Sequence, residues 1–126
     1  LIRSDIPDEA KATSLIEDAK NKFNTANSIT LTKTSASSII TLHYDAIREQ
    51  LAAKASIKGF KVNNHECYKA FLKTILKKTD IAKQFDKVRR IRNRINYYGS
   101  GLQEKKAREV IEMMIETYTK IKEELF

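Results

Sequence analysis

Arginine and asparagine side chains crowd one short stretch of the sequence, and these residue types can bind phosphate. Arg92 follows Val88 by four residues and precedes Ile95 by three, so it flanks an apolar helical stripe. A guanidinium is planar, always charged and suited to forked hydrogen bonds with phosphate. Arg92 is therefore a candidate anion ligand, and a snorkelling arginine that covers the edge of the core is the alternative. The residues that would assist it are Lys87, Arg89, Arg90, Asn93, Arg94 and Asn96.

The positive charge of the chain is concentrated around the same stretch. The chain has 24 basic and 16 acidic residues and a net charge of +8, and the segment 58–94 holds twelve basic and three acidic residues. This segment carries +9, so the rest of the chain sums to −1. The asymmetry favours a polyanion such as RNA, DNA or a nucleotide phosphate as partner. A lysine-rich surface that serves solubility alone is the alternative.

Length and composition indicate one helical domain over residues 1–126. Hydrophobic residues make up 41% of the chain and charged residues 32%, with only three glycines and one proline. No apolar run is long enough for a membrane span, and the first residues lack the apolar core of a signal peptide, so we expect a cytoplasmic protein. Cys67 is the single cysteine, and His43 and His65 are isolated, so we expect neither a metal nor another cofactor. A start at Leu1 is compatible with a piece of a longer chain.

Apolar residues recur at intervals of three and four in five segments, which predicts five helices and no strands. These segments are 4–27, 36–58, 63–78, 80–98 and 102–124, with a loop over 28–38. Gly59 stands where a left-handed cap would end the second helix. Asn63 and Glu66 resemble a capping box for the third helix, and Asp80 is a candidate cap for the fourth. The pattern predicts an all-α fold, an antiparallel four-to-five-helix up-and-down bundle.

Three stretches resemble one known family, the HEPN domains. Arg92-Asn93-Arg94-Ile95-Asn96-Tyr97-Tyr98-Gly99 resembles the signature helix of that family, in which a histidine follows an arginine by four to six residues. His43-Tyr44-Asp45-Ala46-Ile47-Arg48 is similar to its second helix, and residues 59–72 are similar to its glycine turn and third helix. The resemblance implies a homodimer in which two arginine motifs share a positive cleft. It also implies metal-free RNA cleavage in active members, and many members occur with a minimal nucleotidyltransferase as toxin and antitoxin.

The sequence departs from this motif because Tyr97 stands where the family has histidine. Such RNA cleavage needs a base that takes the proton of the 2′-hydroxyl. A histidine with a pKa of about 6.5 can do so at neutral pH, whereas a tyrosine with a pKa of about 10 stays protonated. Arg92 and Tyr97 are thus the catalytic candidates if any activity persists. Tyr97 can still donate a hydrogen bond or stack on a base.

The two histidines are not expected to replace the missing base. His43 lies on the apolar side of the second helix, which is typical of a hydrogen-bonded core histidine. His65 falls in the first turn of the predicted third helix, where we expect it to be exposed and far from the cleft. Asp45 and Arg48 are three residues apart and are expected to form a surface ion pair or to support the site, with Asp45 near the signature arginine.

Three functions are consistent with the sequence. The first is a HEPN-like dimer that binds RNA or nucleotide phosphate through Arg92 and is impaired in catalysis. The second is a metal-independent endoribonuclease toxin that tolerates the loss of the histidine. The third is a structural partner of a nucleotidyltransferase, which would show tight protein binding and no affinity for RNA.

Overall fold

The computed structural model of the protein describes residues 2–98 and 102–126, with side chains for all of these except residues 96–98. Its elements are β1 (Ile2–Ser4), α1 (Glu9–Ser28), α2 (Ala36–Lys58), β2 (Phe60–Val62), α3 (Cys67–Ala70), a π-helical turn (Phe71–Ile75), α4 (Thr79–Tyr98) and α5 (Glu104–Leu125). The prediction of a mostly helical chain is confirmed.

The long helix α2 lies at the centre of the fold, because α1, α4 and α5 all pack against it. Ala12, Ala19 and Ala26 recur every seven residues along α1 and are all buried. Such small side chains on one stripe let α1 approach α2 closely. Asp8 caps α1, since its carboxylate accepts a hydrogen bond from the backbone N–H of Lys11 at 2.9 Å. The predicted start of this helix at residue 4 is wrong, because Ile2–Ser4 is a strand and Asp8 caps the helix directly before Glu9.

A short antiparallel ribbon of β1 and β2 was not predicted from the sequence. Ile2 pairs with Val62, and beside the ribbon the backbone N–H of Asp5 donates to the carbonyl of Gly59 at 2.8 Å. Gly59 ends α2 at φ 79°, as predicted, and turns the chain into β2. Three-residue strands are too short for an alternating pattern to stand out. Their pairing also joins segments that are far apart in the sequence.

The third helical segment differs from the predicted continuous helix. Asn64 rather than Asn63 makes a side-chain hydrogen bond at this start, because its Oδ1 accepts from the backbone N–H of Cys67, the first residue of α3, at 3.0 Å. Glu66 makes no cap hydrogen bond, so the predicted capping box is wrong. The segment then widens into the π-helical turn, and Lys77 has a φ of 58° just before α4. The neighbouring asparagine offers the same side chain one residue closer to the helix, which explains the error.

The last two helices carry the apolar stripes that the sequence predicts. α4 begins at Thr79, so Asp80 lies in its first turn instead of at the cap, still near the positive end of the helix. The stripe of α4 supplies buried residues to the core, namely Ile81, Phe85, Val88 and Ile95. The predicted end of this helix at residues 99–101 lies outside the described residues. Within the described helices, none has the length and apolar character that a membrane crossing requires.

Candidate functional site

The side chain of Arg92 lies over the aromatic ring of Tyr44. Tyr44 on α2 is fully buried, and Cζ of Arg92 on α4 lies 5.0 Å from the centre of its ring. This is the geometry of a cation–π contact. Nε of Arg92 is buried, and neither a hydrogen bond nor an ion pair joins the guanidinium to any other described residue. The spacing argument that Arg92 does not point straight into solvent is therefore correct.

His65 belongs to the same site, which the sequence did not predict. Its Nδ1 lies 3.1 Å from the hydroxyl of Tyr44, and the two ring centres are 5.7 Å apart. The ring is half-buried, so the expectation of an exposed histidine far from the arginine is wrong. The reason is local: α3 begins at Cys67, so His65 lies in the turn before the helix. That turn places the ring against α2.

The charges around this site act on both aromatic groups. Burial raises the pKa of Tyr44 to about 12, although Arg92, Arg89 and Arg48 favour its ionised form. Burial also lowers the pKa of His65, and Arg48 and Arg92 lower it further. At neutral pH Tyr44 is therefore protonated and His65 is neutral. We call these five residues, namely Tyr44, Arg48, His65, Arg89 and Arg92, the Arg92 cluster.

Asp86 organises a second group of charges beside this cluster. Its side chain is 9% exposed, and its carboxylate lies 3.0 Å from Arg89, 3.0 Å from Arg90 and 3.5 Å from Lys69. Burial raises the pKa of Asp86, but the hydrogen bond from Arg89 and the nearby Lys69 and Arg90 outweigh burial, so the net shift is downward. One carboxylate thus faces three cations. The group keeps an excess of two positive charges.

The structure divides the other basic residues of α4 into two rows. Arg89 and Arg92 lie on the side that faces the core and are partly buried, whereas Lys87, Arg90 and Arg94 are exposed. Each residue turns a helix by about 100°, so Arg94 points about 200° away from Arg92. Arg92 and Arg94 therefore cannot grip the same phosphate group. The sequence named all of these residues as candidate phosphate ligands and left open whether the basic face and Arg92 lie on the same side.

The remaining predicted residues fall in different places. Asp45 and Arg48 are half-buried on α2, and no ion pair joins them to each other within the described part of the chain. Asn93 is exposed on α4. The side chains of Asn96 and Tyr97 lie outside the described residues, so the pairing of Arg92 with Tyr97 stays a prediction.

The fold and the site together define a class of protein. It is a mostly helical chain in which a buried tyrosine contacts both an arginine and a histidine. No family model, curated protein or solved structure matches the chain in sequence or fold.

Proposed function

We propose that the protein binds RNA through its phosphates, with Arg92 as the central ligand. One observation carries this proposal. Arg92 lies over a buried ring, and no anionic side chain among the described residues pairs with its guanidinium. A partly desolvated guanidinium is costly unless an anion pairs with it. Its terminal nitrogens are well suited to hold two oxygens of one phosphate.

The charges near Arg92 add to this attraction for anions. Arg48, Arg89 and Arg92 all favour the ionised form of Tyr44, and Asp45 opposes them. Asp86 holds Arg89 in place, because its Oδ1 accepts hydrogen bonds from Nε and Nη2 of Arg89 at 3.3 and 3.0 Å. Positive charges fixed in this way need no rearrangement when an anion arrives.

A strand fits these charges better than a single nucleotide does. A lone phosphate can occupy the inner side of α4 at Arg92, but it leaves the exposed row of Lys87, Arg90 and Arg94 unused. Successive phosphates of a strand can contact both sides of the helix. The half-buried ring of His65 also suits stacking with an unpaired base. Single-stranded RNA is therefore the ligand that we propose, with a nucleotide phosphate as the weaker competitor.

The homodimer is part of the proposal only because the resemblance to HEPN domains implies it. Ile95 is 8% exposed and belongs to the core of its own chain, so it offers little apolar surface to a second copy. The outward face of α4 is polar and basic, with Lys87, Arg90, Asn93 and Arg94 exposed. Two such faces repel each other. We therefore expect pairing through α4 to depend on an anion bound between the copies.

The test compares two arginines of α4 that carry the same charge in different places. Arg92→Ala should weaken the binding of a short labelled single-stranded RNA by about 5- to 150-fold, which corresponds to the 1–3 kcal/mol of charge-assisted hydrogen bonds. Arg94→Ala removes the same charge from the exposed row, and we expect less than about a fivefold loss. Fluorescence anisotropy over a salt series measures both affinities.

Urea unfolding of the two variants separates binding from folding. Arg92→Ala should lose about 0.5–2 kcal/mol of stability with its cation–π contact, and Arg94→Ala should lose almost none. Equal effects of the two substitutions on RNA affinity would show that the basic surface attracts RNA without any specific role of Arg92. Absence of binding at low salt would overturn the proposed function altogether.

A further inference from the structure

We propose that His65 is a second ligand of the RNA backbone, whose Nε2–H donates a hydrogen bond to the phosphate that Arg92 holds. The inference rests on the proposed function, because it requires RNA at this site. It adds a residue that lies outside α4, in the turn before α3. The juxtaposition that supports it is an imidazole and a guanidinium that contact the same tyrosine.

Tyr44 holds the two groups close together. Cζ of Arg92 lies 5.0 Å from the centre of the Tyr44 ring, and the centre of the His65 ring lies 5.7 Å from the same point. Tyr44 is itself fixed, because it is fully buried and stacks on Phe85, with ring centres 6.1 Å apart and planes at 22°. A donor held beside a guanidinium in this way can share a phosphate with it, since a phosphodiester offers two non-bridging oxygens.

The buried hydroxyl of Tyr44 selects the tautomer of His65. Its oxygen lies 3.1 Å from Nδ1 of His65, and no other group among the described side chains accepts a hydrogen bond from it. If Nδ1–H donated to the hydroxyl, the O–H of Tyr44 would be buried without an acceptor, which is costly. The hydroxyl therefore donates to Nδ1, and the hydrogen of the neutral ring is on Nε2.

The surroundings of His65 keep its ring neutral. Burial lowers its pKa most, Arg48, Arg92 and Arg89 lower it further, and Asp45 opposes them. A neutral ring with its hydrogen on Nε2 acts there as a donor. No described side chain is hydrogen-bonded to Nε2, and the residue is only half-buried, so this N–H can reach a ligand.

A phosphate oxygen is the acceptor that suits this N–H. The arginines around His65 outnumber the single acid, so an anionic acceptor is favoured over a neutral oxygen of a base or a ribose. A hydrogen bond to an ionised oxygen is also roughly twice as strong as one between neutral groups. The N–H lies in the plane of the ring, so the face of His65 stays available for stacking on a base.

Two substitutions of His65 separate its donor from its ring. His65→Phe keeps an aromatic face and removes the N–H, and we expect the Kd for a short labelled single-stranded RNA to rise about 5- to 50-fold. His65→Gln loses the ring but keeps an amide N–H, so we expect a rise of less than about fivefold. Fluorescence anisotropy at one salt concentration measures both values. Urea unfolding shows whether each variant is folded.

Combining His65→Phe with Arg92→Ala tests whether the two side chains hold one phosphate. Removal of either ligand loosens the group that the other one binds. The loss of affinity in the double variant should therefore be clearly smaller than the product of the two single losses. A loss equal to that product would place the two side chains on different phosphates and overturn the shared contact.

Nitrogen NMR of the isotope-labelled wild type reads the tautomer directly, because protonated and unprotonated ring nitrogens have well separated shifts. We expect the hydrogen on Nε2 from about pH 6.5 upwards and a changed Nε2 shift when RNA is added. Tyr44→Phe keeps the ring under Arg92 and removes the hydroxyl that orients His65. This variant should show a mixture of the two tautomers and bind RNA about 2- to 5-fold more weakly.

The possible outcomes separate this inference from the proposed function. An RNA that does not bind the wild type would refute the function. Equal affinity of the wild type and His65→Phe would overturn the role of His65 and leave the function intact. A loss in His65→Gln without a loss in His65→Phe would assign stacking to the ring and exclude the donor role. If His65→Phe does not fold, the wild-type spectrum decides, because a hydrogen on Nδ1 would leave Nε2 unable to donate.

Discussion

His43 on α2 is the group through which we expect acid to weaken the fold. Its side chain is fully buried and meets Phe23 edge to face, with ring centres 5.2 Å apart and planes at 73°. The sequence predicted a core histidine with a hydrogen bond. In the structure neither ring nitrogen has a hydrogen-bond partner among the described residues. Burial among apolar groups lowers the pKa of His43 to about 4.

The size of the effect follows from the difference between two pKa values. The unfolded chain protonates His43 at about 6.5, whereas the folded chain resists protonation down to about pH 4. Between these values the unfolded state binds more protons, so stability is fully present above pH 6.5 and is lost as the pH falls. The free energy of unfolding should decrease by about 2 kcal/mol from pH 7 to pH 5 through this group alone, and by about 3 kcal/mol below pH 4.

Urea unfolding of the wild type and of His43→Leu measures this contribution. Leucine fills a similar volume and removes two buried nitrogens that lack partners, so stability at pH 7 should stay equal or increase. Other acidic and basic groups titrate alike in both proteins, so their effects cancel in the difference between the two curves. The difference should grow by about 2 kcal/mol from pH 7 to pH 5. Parallel curves over this range would refute the reasoning and show that His43 finds a partner for its proton.

Two further predictions concern charges on α4. Asp86→Asn should lower the free energy of unfolding by about 1–3 kcal/mol, because Arg89, whose side chain is 15% exposed, loses its charged partner; an unchanged urea midpoint would show that these ion pairs add nothing to stability. Sedimentation of the 14.5 kDa chain at roughly tens of micromolar should show a twofold assembly in the presence of a short RNA; a monomer with and without RNA would exclude pairing through α4.

The helices could be predicted because their apolar residues repeat at the helical period. The stripe of α4 includes Phe85, Val88 and Ile95, which are buried as expected, and Gly59 adopts the positive φ that its place after α2 predicts. These features depend on residues that are close in sequence. The spacing of apolar residues and the types of the capping residues therefore predict them from the sequence.

The candidate site could be predicted only in part, because its geometry depends on contacts between distant segments. The spacing of Arg92 indicated a core-flanking arginine, but it could not show which ring lies beneath it. His65 lies in the turn between β2 and α3, where the backbone N–H of Cys67 donates to Oδ1 of Asn64. A shift of the helix start by a few residues turned an expected surface side chain into a neighbour of Tyr44. No pattern within a single segment carries that information.

The two interpretations of Arg92 that the sequence left open do not exclude each other in this structure. As a covering side chain, Arg92 packs on Tyr44 and so adds to the core. As a phosphate ligand, Arg92 has a guanidinium group that no anionic side chain among the described residues pairs with. The packing restricts the rotation of a flexible side chain before any phosphate arrives, which lowers the entropic cost of binding. The same contact that stabilises the fold thus prepares the guanidinium for phosphate, and this coupling is the reason that Arg92→Ala is expected to affect stability and affinity together.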